Sequence, residues 1–262
     1  MRKIILLLLC CSLVRVGFAQ ESFKNKRGIT VTPEKGEISL GFDAVPVLKF
    51  AGSLFNDQND APYAGFTADN PLTISGKYVH KDNMAIRLKV RLGFGTEKSD
   101  TLVARIGSTN TAEKVSNETK VNRSSIAIGA GVQKWRGKGR IRGFYGGEGM
   151  LKVSTEKTNY AYGNALSNEN QTPRISSEKP GNVVGFNLRG FIGVEYFFAA
   201  KASLSAEFGW GPEFEVSLRG AQETETWNGV QAETNIVETG KSSSFYFDND
   251  NAEGAIQLNF YF

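Results

Sequence analysis

His80 is the only histidine of the chain, and acid–base chemistry near neutral pH draws on imidazole more than on any other side chain. It sits in His80-Lys81-Asp82-Asn83, a turn-type stretch between two alternating segments, so the residue reads as an interfacial turn residue. No Ser-His-Asp set can be assembled there without a second histidine. Among 27 acidic residues nothing selects a carboxylate pair. The expectation is therefore a protein that is not an enzyme, with no catalytic residue, no cofactor and no resident metal. Asp248-Asn249-Asp250-Asn251 clusters oxygen ligands of the kind calcium takes. It lacks the spacing of a full calcium loop with a distal glutamate, and a turn held by Asx hydrogen bonds is the preferred reading.

The charges that do carry a pattern recur at every second residue. Arg87, Lys89 and Arg91 alternate with Ile86, Leu88, Val90 and Leu92, and the run continues through Gly93 to Phe94. A period of two places one set on each face of a strand. Arg142, Glu148, Arg189, Glu195 and Glu207 occupy the same polar parity in other segments. Charges on one face, with apolar residues on the other, suit a polar interior wrapped by an apolar exterior. A sandwich core would not accept Arg, Lys and Arg together.

The elements that must position these residues are eight alternating segments. They start near Glu37, Leu72, Ile86, Ser124, Arg140, Val184, Lys201 and Gly254. The second and third are joined by a tight turn at 80–83, the fourth and fifth at 136–139, and the sixth and seventh around 198–200. The remaining connections, about 43–71, 95–122, 155–182 and 219–243, are long and rich in Asn, Ser, Thr, Glu and Lys. Strict short-long alternation with an even strand count predicts an all-β fold: a transmembrane antiparallel up-and-down β-barrel of about eight strands, with short periplasmic turns and long external loops.

An eight-stranded barrel is only wide enough for side chains to fill it. The expected lumen network sets Glu148, Glu195 and Glu207 against Arg87, Arg91, Arg142 and Arg189, with Lys89 among the cations. Such a barrel would hold no continuous channel, although the cationic excess leaves a weak anion path as the sharper alternative.

Arg2 and Lys3 precede the apolar run Ile4 to Val14, and Gly17 and Ala19 are small residues ahead of a cut at Gln20. That order reads as a secretory signal over 1–19. Cys10 and Cys11 come too early in the run for a lipidated cysteine and leave with it, as do Arg2, Lys3 and Arg15. The net charge of +4 thus belongs largely to the signal, and no nucleic-acid partner is implied. The reading then divides into an N-terminal periplasmic segment, 20–36, and a barrel domain, 37–262. Abundant glycine (29), sparse proline (7) and a mean hydropathy of -0.28 agree with strands that show lipid only alternate residues.

The signal, the eight alternating segments, Tyr196-Phe197-Phe198 and the terminal Phe260-Tyr261-Phe262 together resemble the small outer-membrane β-barrel family typified by the OmpA and OmpX membrane domains. The run Leu40-Gly41-Phe42-Asp43-Ala44-Val45-Pro46 also looks like exported barrel proteins of Bacteroidetes. The resemblance implies a cell outer-membrane location with outer-membrane lipid as a partner. It also implies periplasmic chaperones and a barrel-assembly machinery that reads Phe260 and Phe262. The leading functional reading of the residues is envelope integrity or surface interaction through external loops, with a protein or glycan partner. A small porin-like solute pore is the alternative, and a lipid-acting barrel enzyme ranks below both.

Two local features stay open. The oily segment 45–55 reads either as a short plug helix beginning near Pro46 or as a bent continuation of the first strand. Glu213 to Leu218 and Ser244 to Asp248 alternate, so the last two strands are expected to run on as a projecting ribbon. Tyr160, Tyr162 and Trp227 are loop aromatics available to a partner or packed within their own loops.

Overall fold

The computed structural model describes residues 23–24, 28–44, 72–110, 112–249 and 255–262. The expected signal peptide, the 45–55 segment, Asp250 and Asn251 lie outside the described residues. Among the described residues the regular structure is antiparallel sheet, in twelve strands: β1 (Ile38–Asp43), β2 (Leu72–Lys81), β3 (Met84–Ala104), β4 (Lys114–Arg136), β5 (Ile141–Ala161), β6 (Arg174–Lys179), β7 (Val183–Ala199), β8 (Ala202–Ser217), β9 (Ala221–Trp227), β10 (Ala232–Glu238), β11 (Ser242–Asn249) and β12 (Ala255–Tyr261).

Eight of these form a closed ring. β1 to β5 pair in chain order, β5 pairs β7, β7 pairs β8, β8 pairs β12, and β12 returns to β1. Closure removes the open strand edges that would otherwise need covering. The seam is made by Ser39↔Tyr261 through Asp43↔Gln257, extended by reciprocal backbone bonds in which Ile38 and Phe262 each donate an N–H to the other's carbonyl at 2.9 Å.

The tight connections between consecutive ring strands, β2–β3, β4–β5 and β7–β8, fall at one end. Lys81 and Met84 flank Asp82-Asn83, and Ala199 and Ala202 flank Ala200-Lys201. Lys201 takes φ 61°, a left-handed conformation uncommon outside glycine. The turn after β4 uses Gly137 and Gly139 at φ 109° and 99°.

At the other end the strands outrun the expected segments. β3 and β4 stay in register from Met84↔Lys134 to Ala104↔Lys114, so most of the expected loop 95–122 is hairpin. β6, β9 and β10 add outboard of β5, giving a sheet in the order β3-β4-β5-β6-β9-β10. β11 pairs the upper part of β8 from Ser242↔Ser217 to Asn249↔Trp210, the projecting ribbon expected at 213–218 and 244–248.

The distribution of side chains inverts that of a soluble domain. Ile86, Leu88, Phe94, Ile126, Ile128, Leu151, Leu188, Ile192 and Phe208 are exposed around the outside, while Arg87, Arg142, Glu148, Arg189, Glu195 and Glu207 are buried inside. A contiguous exposed apolar belt on this scale marks a surface that meets lipid or another apolar phase. From Ile86 to Phe94 it has the length of roughly 9 residues that a tilted membrane-crossing strand needs.

Candidate functional site: the filled lumen

Two charge clusters occupy the lumen, one above the other. In the upper one Arg87 donates to both carboxylate oxygens of Glu207, at 2.9 and 3.2 Å. Arg189 Nη1 lies between Glu148, at 2.6 Å, and Glu207, at 3.0 Å. Lys89 Nζ donates to Glu148 at 2.7 Å and stands 3.6 Å from Glu207. Three cations and two carboxylates thus share one site, brought from β3, β5, β7 and β8. Burying a charge without a counter-charge is prohibitive, so the cluster is stable only as a set.

The lower cluster centres on Glu195, which is fully buried. Trp135 Nε1 donates to it at 2.7 Å, Ser203 Oγ at 2.6 Å and Tyr261 OH at 2.7 Å, and Lys77 Nζ lies 3.5 Å away. Lys77 also donates to Tyr261 OH at 3.4 Å. On the neighbouring wall Ser75 donates to Gln257 and Asn259 donates to Ser205, at 3.2 and 3.1 Å.

An apolar cluster threads among these charges: the Phe191 ring stands 4.2 Å from Arg87 and Phe144 5.9 Å from Lys77, Trp135 and Tyr261 belong to it while bonding Glu195, and Val31, Val79, Ala85 and Phe197 form its floor at the tight-turn end. Phe144 faces Gly193 across β5 and β7, and Phe191 faces Gly146. A Cβ on Gly193 would stand 2.3 Å from Phe144 Cζ, and one on Gly146 2.5 Å from Phe191 Cζ. These glycines make room for rings inside the barrel. The N-terminal segment completes the floor: Val31 and Thr32 are wholly buried, and Val31 accepts the Lys201 N–H at 3.1 Å. Lys201 Nζ in turn donates to the Thr32 carbonyl at 3.2 Å and to Glu37. Residues 28–37 therefore pack against the tight-turn end.

All eight expected lumen residues point inward by strand parity, and six of them assemble as ion pairs. Among the described residues Arg91 and Arg142 form no ion pair, and the register places other groups opposite Arg91. Arg91 sits opposite Thr73 and Ala127, and at its level Glu215 is held by Lys152 at 3.2 Å. Arg142 is opposite Glu195, but that carboxylate is already taken by Trp135, Ser203, Tyr261 and Lys77. Its guanidinium instead stands 5.9 Å from the Phe197 ring. Trp135, Tyr261 and Ser203 were not legible as carboxylate partners. Their only sequence signal is inward parity, which does not say how high across the lumen a side chain reaches.

Beyond the belt, Arg123 bridges Glu156 at 2.8 Å and Glu97 at 3.3 Å, and Arg174 bonds Glu225 at 3.0 Å. The loop aromatics pack within the ribbons. Arg174 stands 4.3 Å over the Tyr162 ring, Tyr162 OH donates to Ile175 O at 2.7 Å, and Trp227 Nε1 donates to Asn168 at 2.9 Å. Burial pushes the Tyr162 phenol above its ordinary value, against the nearby Arg174 charge. His80 is exposed at the tight-turn end, away from both clusters.

Among the described residues the wall is interrupted between β7 and β8. The β7–β8 ladder runs to Asn187↔Glu213 and resumes at Gly190↔Trp210, leaving Leu188 and Arg189 unmatched opposite Pro212 and Gly211. Pro212 has no N–H to give. Beside it an open outer groove of about 540 Å³ forms where Ala130, Gly147, Gly149 and Gly190 lack bulk, walled by Trp210 and Phe247.

No family model matches this chain, and no curated protein matches it. Among solved structures, the chain is similar to the outer membrane protein OprG from Pseudomonas aeruginosa. The identity is 11% and the TM-score 0.36, over 88% of this chain and 98% of that one.

Proposed function

We propose that this protein is an integral outer-membrane β-barrel with an occluded lumen. Its role is non-enzymatic: envelope integrity, or surface interaction through the sheet that projects beyond the belt. The observation that carries the reading is the inversion of polarity: carboxylates and guanidiniums buried and paired inside, large apolar side chains exposed outside. Only a solvent that is itself apolar makes that arrangement favourable, because roughly 25 cal/mol of stabilisation is forfeited for each Å² of apolar surface left in water.

On this reading the tight turns are periplasmic and the long ribbons external. Outer-membrane lipid, periplasmic chaperones and the barrel-assembly machinery are the general partners. Occlusion rests on the upper charge cluster, the Glu195 cluster and the apolar cluster that packs among them and reaches Val31. The test is reconstitution of the pure chain in a planar bilayer. An occluded barrel gives a folded, inserted protein without stable, sizeable conductance steps. Such steps would favour the small-pore alternative, for which the cationic excess of Arg91 and Arg142 would predict anion preference. A lipid-acting enzyme would require acyl transfer or hydrolysis by the folded barrel, measurable with a labelled phospholipid.

A further inference from the structure

The outer face of the sheet just above the apolar belt carries a feature that the occluded lumen does not use. Reading up the outward parity across β3, β4 and β5, Leu92, Ile126 and Val153 form one apolar row. Phe94, Ser124 and Thr155 form the next, and Thr96, Asn122 and Lys157 the one above. No register shift interrupts these ladders, so the rows stay on the same face as the belt. β6 joins β5 through Thr158↔Glu178 and Asn159↔Ser177, which brings Lys179 beside Lys157. The two lysines line a depression of about 240 Å³ together with Asn122, Ser124, Thr155, Asn182 and the Arg123–Glu156 ion pair.

The chemistry of that depression is donor-rich. Lys157 and Lys179 are exposed, and among the described residues neither forms an ion pair. The nearby acids are engaged elsewhere: Glu156 and Glu97 hold Arg123, and Glu118 holds Lys98 at 2.8 Å. Asn122 Oδ1 accepts from Thr96 at 3.0 Å, which leaves its amide hydrogens as donors. Ser124 and Thr155 share one hydrogen bond at 2.7 Å, so one of the two hydroxyl hydrogens remains to donate. Like charges on adjacent strands repel unless an anion lies between them. Directly below, Phe94, Ile126 and Val153 are exposed apolar side chains continuous with the belt.

We propose that this depression holds the phosphate of a phosphorylated lipid in the outer leaflet, seated between Lys157 and Lys179 with its acyl chains on Phe94, Ile126 and Val153. The proposal rests on the membrane-barrel reading. The apolar row beneath is what favours a lipid over free phosphate, since a soluble anion would gain nothing from it. Basic pockets at headgroup level recognise lipid phosphates in this way.

The test uses the full chain folded in detergent micelles, with folding verified by heat-dependent gel mobility. Lipid retention is then read by native mass spectrometry. The probes are diphosphorylated lipid A, the same lipid dephosphorylated, and inorganic phosphate as competitor. Wild type is expected to retain the phosphorylated lipid about tenfold better than the dephosphorylated form. The double variant Lys157→Gln/Lys179→Gln should lose that preference, while Lys138→Gln at the tight-turn end keeps it. Equal retention of the two lipids, or an unchanged preference in the double variant, overturns the proposal. Displacement by inorganic phosphate as effective as by the lipid assigns the site to the free anion and also overturns it. Recovery of the chain as a soluble, lipid-free protein overturns the membrane reading and the proposal together. A folded, inserted barrel with no phosphate preference overturns the proposal alone.

Discussion

Glu207 is the residue on which the upper cluster depends, because Arg87, Arg189 and Lys89 all converge on it. Replacing it with Gln keeps the volume and removes one of the two carboxylate charges, Glu148 being the other, that balance three buried cations. Removing one partner of a buried pair typically costs ~3–5 kcal/mol, so Glu207→Gln should lower the unfolding midpoint markedly in a detergent melt. Arg91→Gln should leave it nearly unchanged, because Arg91 forms no ion pair among the described residues. Equal effects from both would mean that the cluster does not hold the lumen. A steric counterpart is Gly193→Ala, whose Cβ would stand 2.3 Å from Phe144 and 2.4 Å from the Ala206 carbonyl. Overpacking of this kind costs about 1–3 kcal/mol, and Phe144→Leu in the same chain should restore part of the loss.

The N-terminal segment is the element whose role the strand pattern did not announce. The strand pattern leaves it ahead of the barrel, and residues 28–37 form part of the floor, through Val31, Thr32 and the Lys201–Glu37 contact. Deleting residues 28–36 should destabilise the barrel, measured by the denaturant midpoint, without opening a conducting path, since both charge clusters remain above the floor. A large conductance gained on deletion would make this segment the sole plug. The ribbons teach a related lesson. Alternation identified Glu213–Leu218 and Ser244–Asp248 as strands, but the polar composition of 95–122 read as loop although it forms a long hairpin. Above an apolar solvent a strand no longer has to alternate, so its pattern fades while its backbone pairing continues.

At the scale of the whole molecule, closure joins the first and last strands, and Phe262 stands at the seam with its backbone bonded to Ile38 in both directions. Deleting it removes two backbone hydrogen bonds, each worth roughly 1 kcal/mol, and one exposed aromatic at the end of the belt. Loss of folded, inserted protein in an assembly assay, with little change in the stability of what does insert, is the outcome expected if Phe260 and Phe262 act in assembly. A purely mechanical role for the seam would instead lower the melting temperature in proportion. What the sequence by itself determined was the period of two, the parity of each strand and the alternation of short and long connections. Those settle which residues face inward and that the set is even, because pleat and turn length are local properties. The tertiary structure alone decided which charges meet. Arg91 and Arg142 share the inward parity of Arg87 and Arg189, yet partners across a lumen depend on strand stagger, on side-chain reach and on which donor takes a carboxylate first. Trp135, Ser203 and Tyr261 claim Glu195 from three different strands, and no spacing along the chain records that they lie at one height.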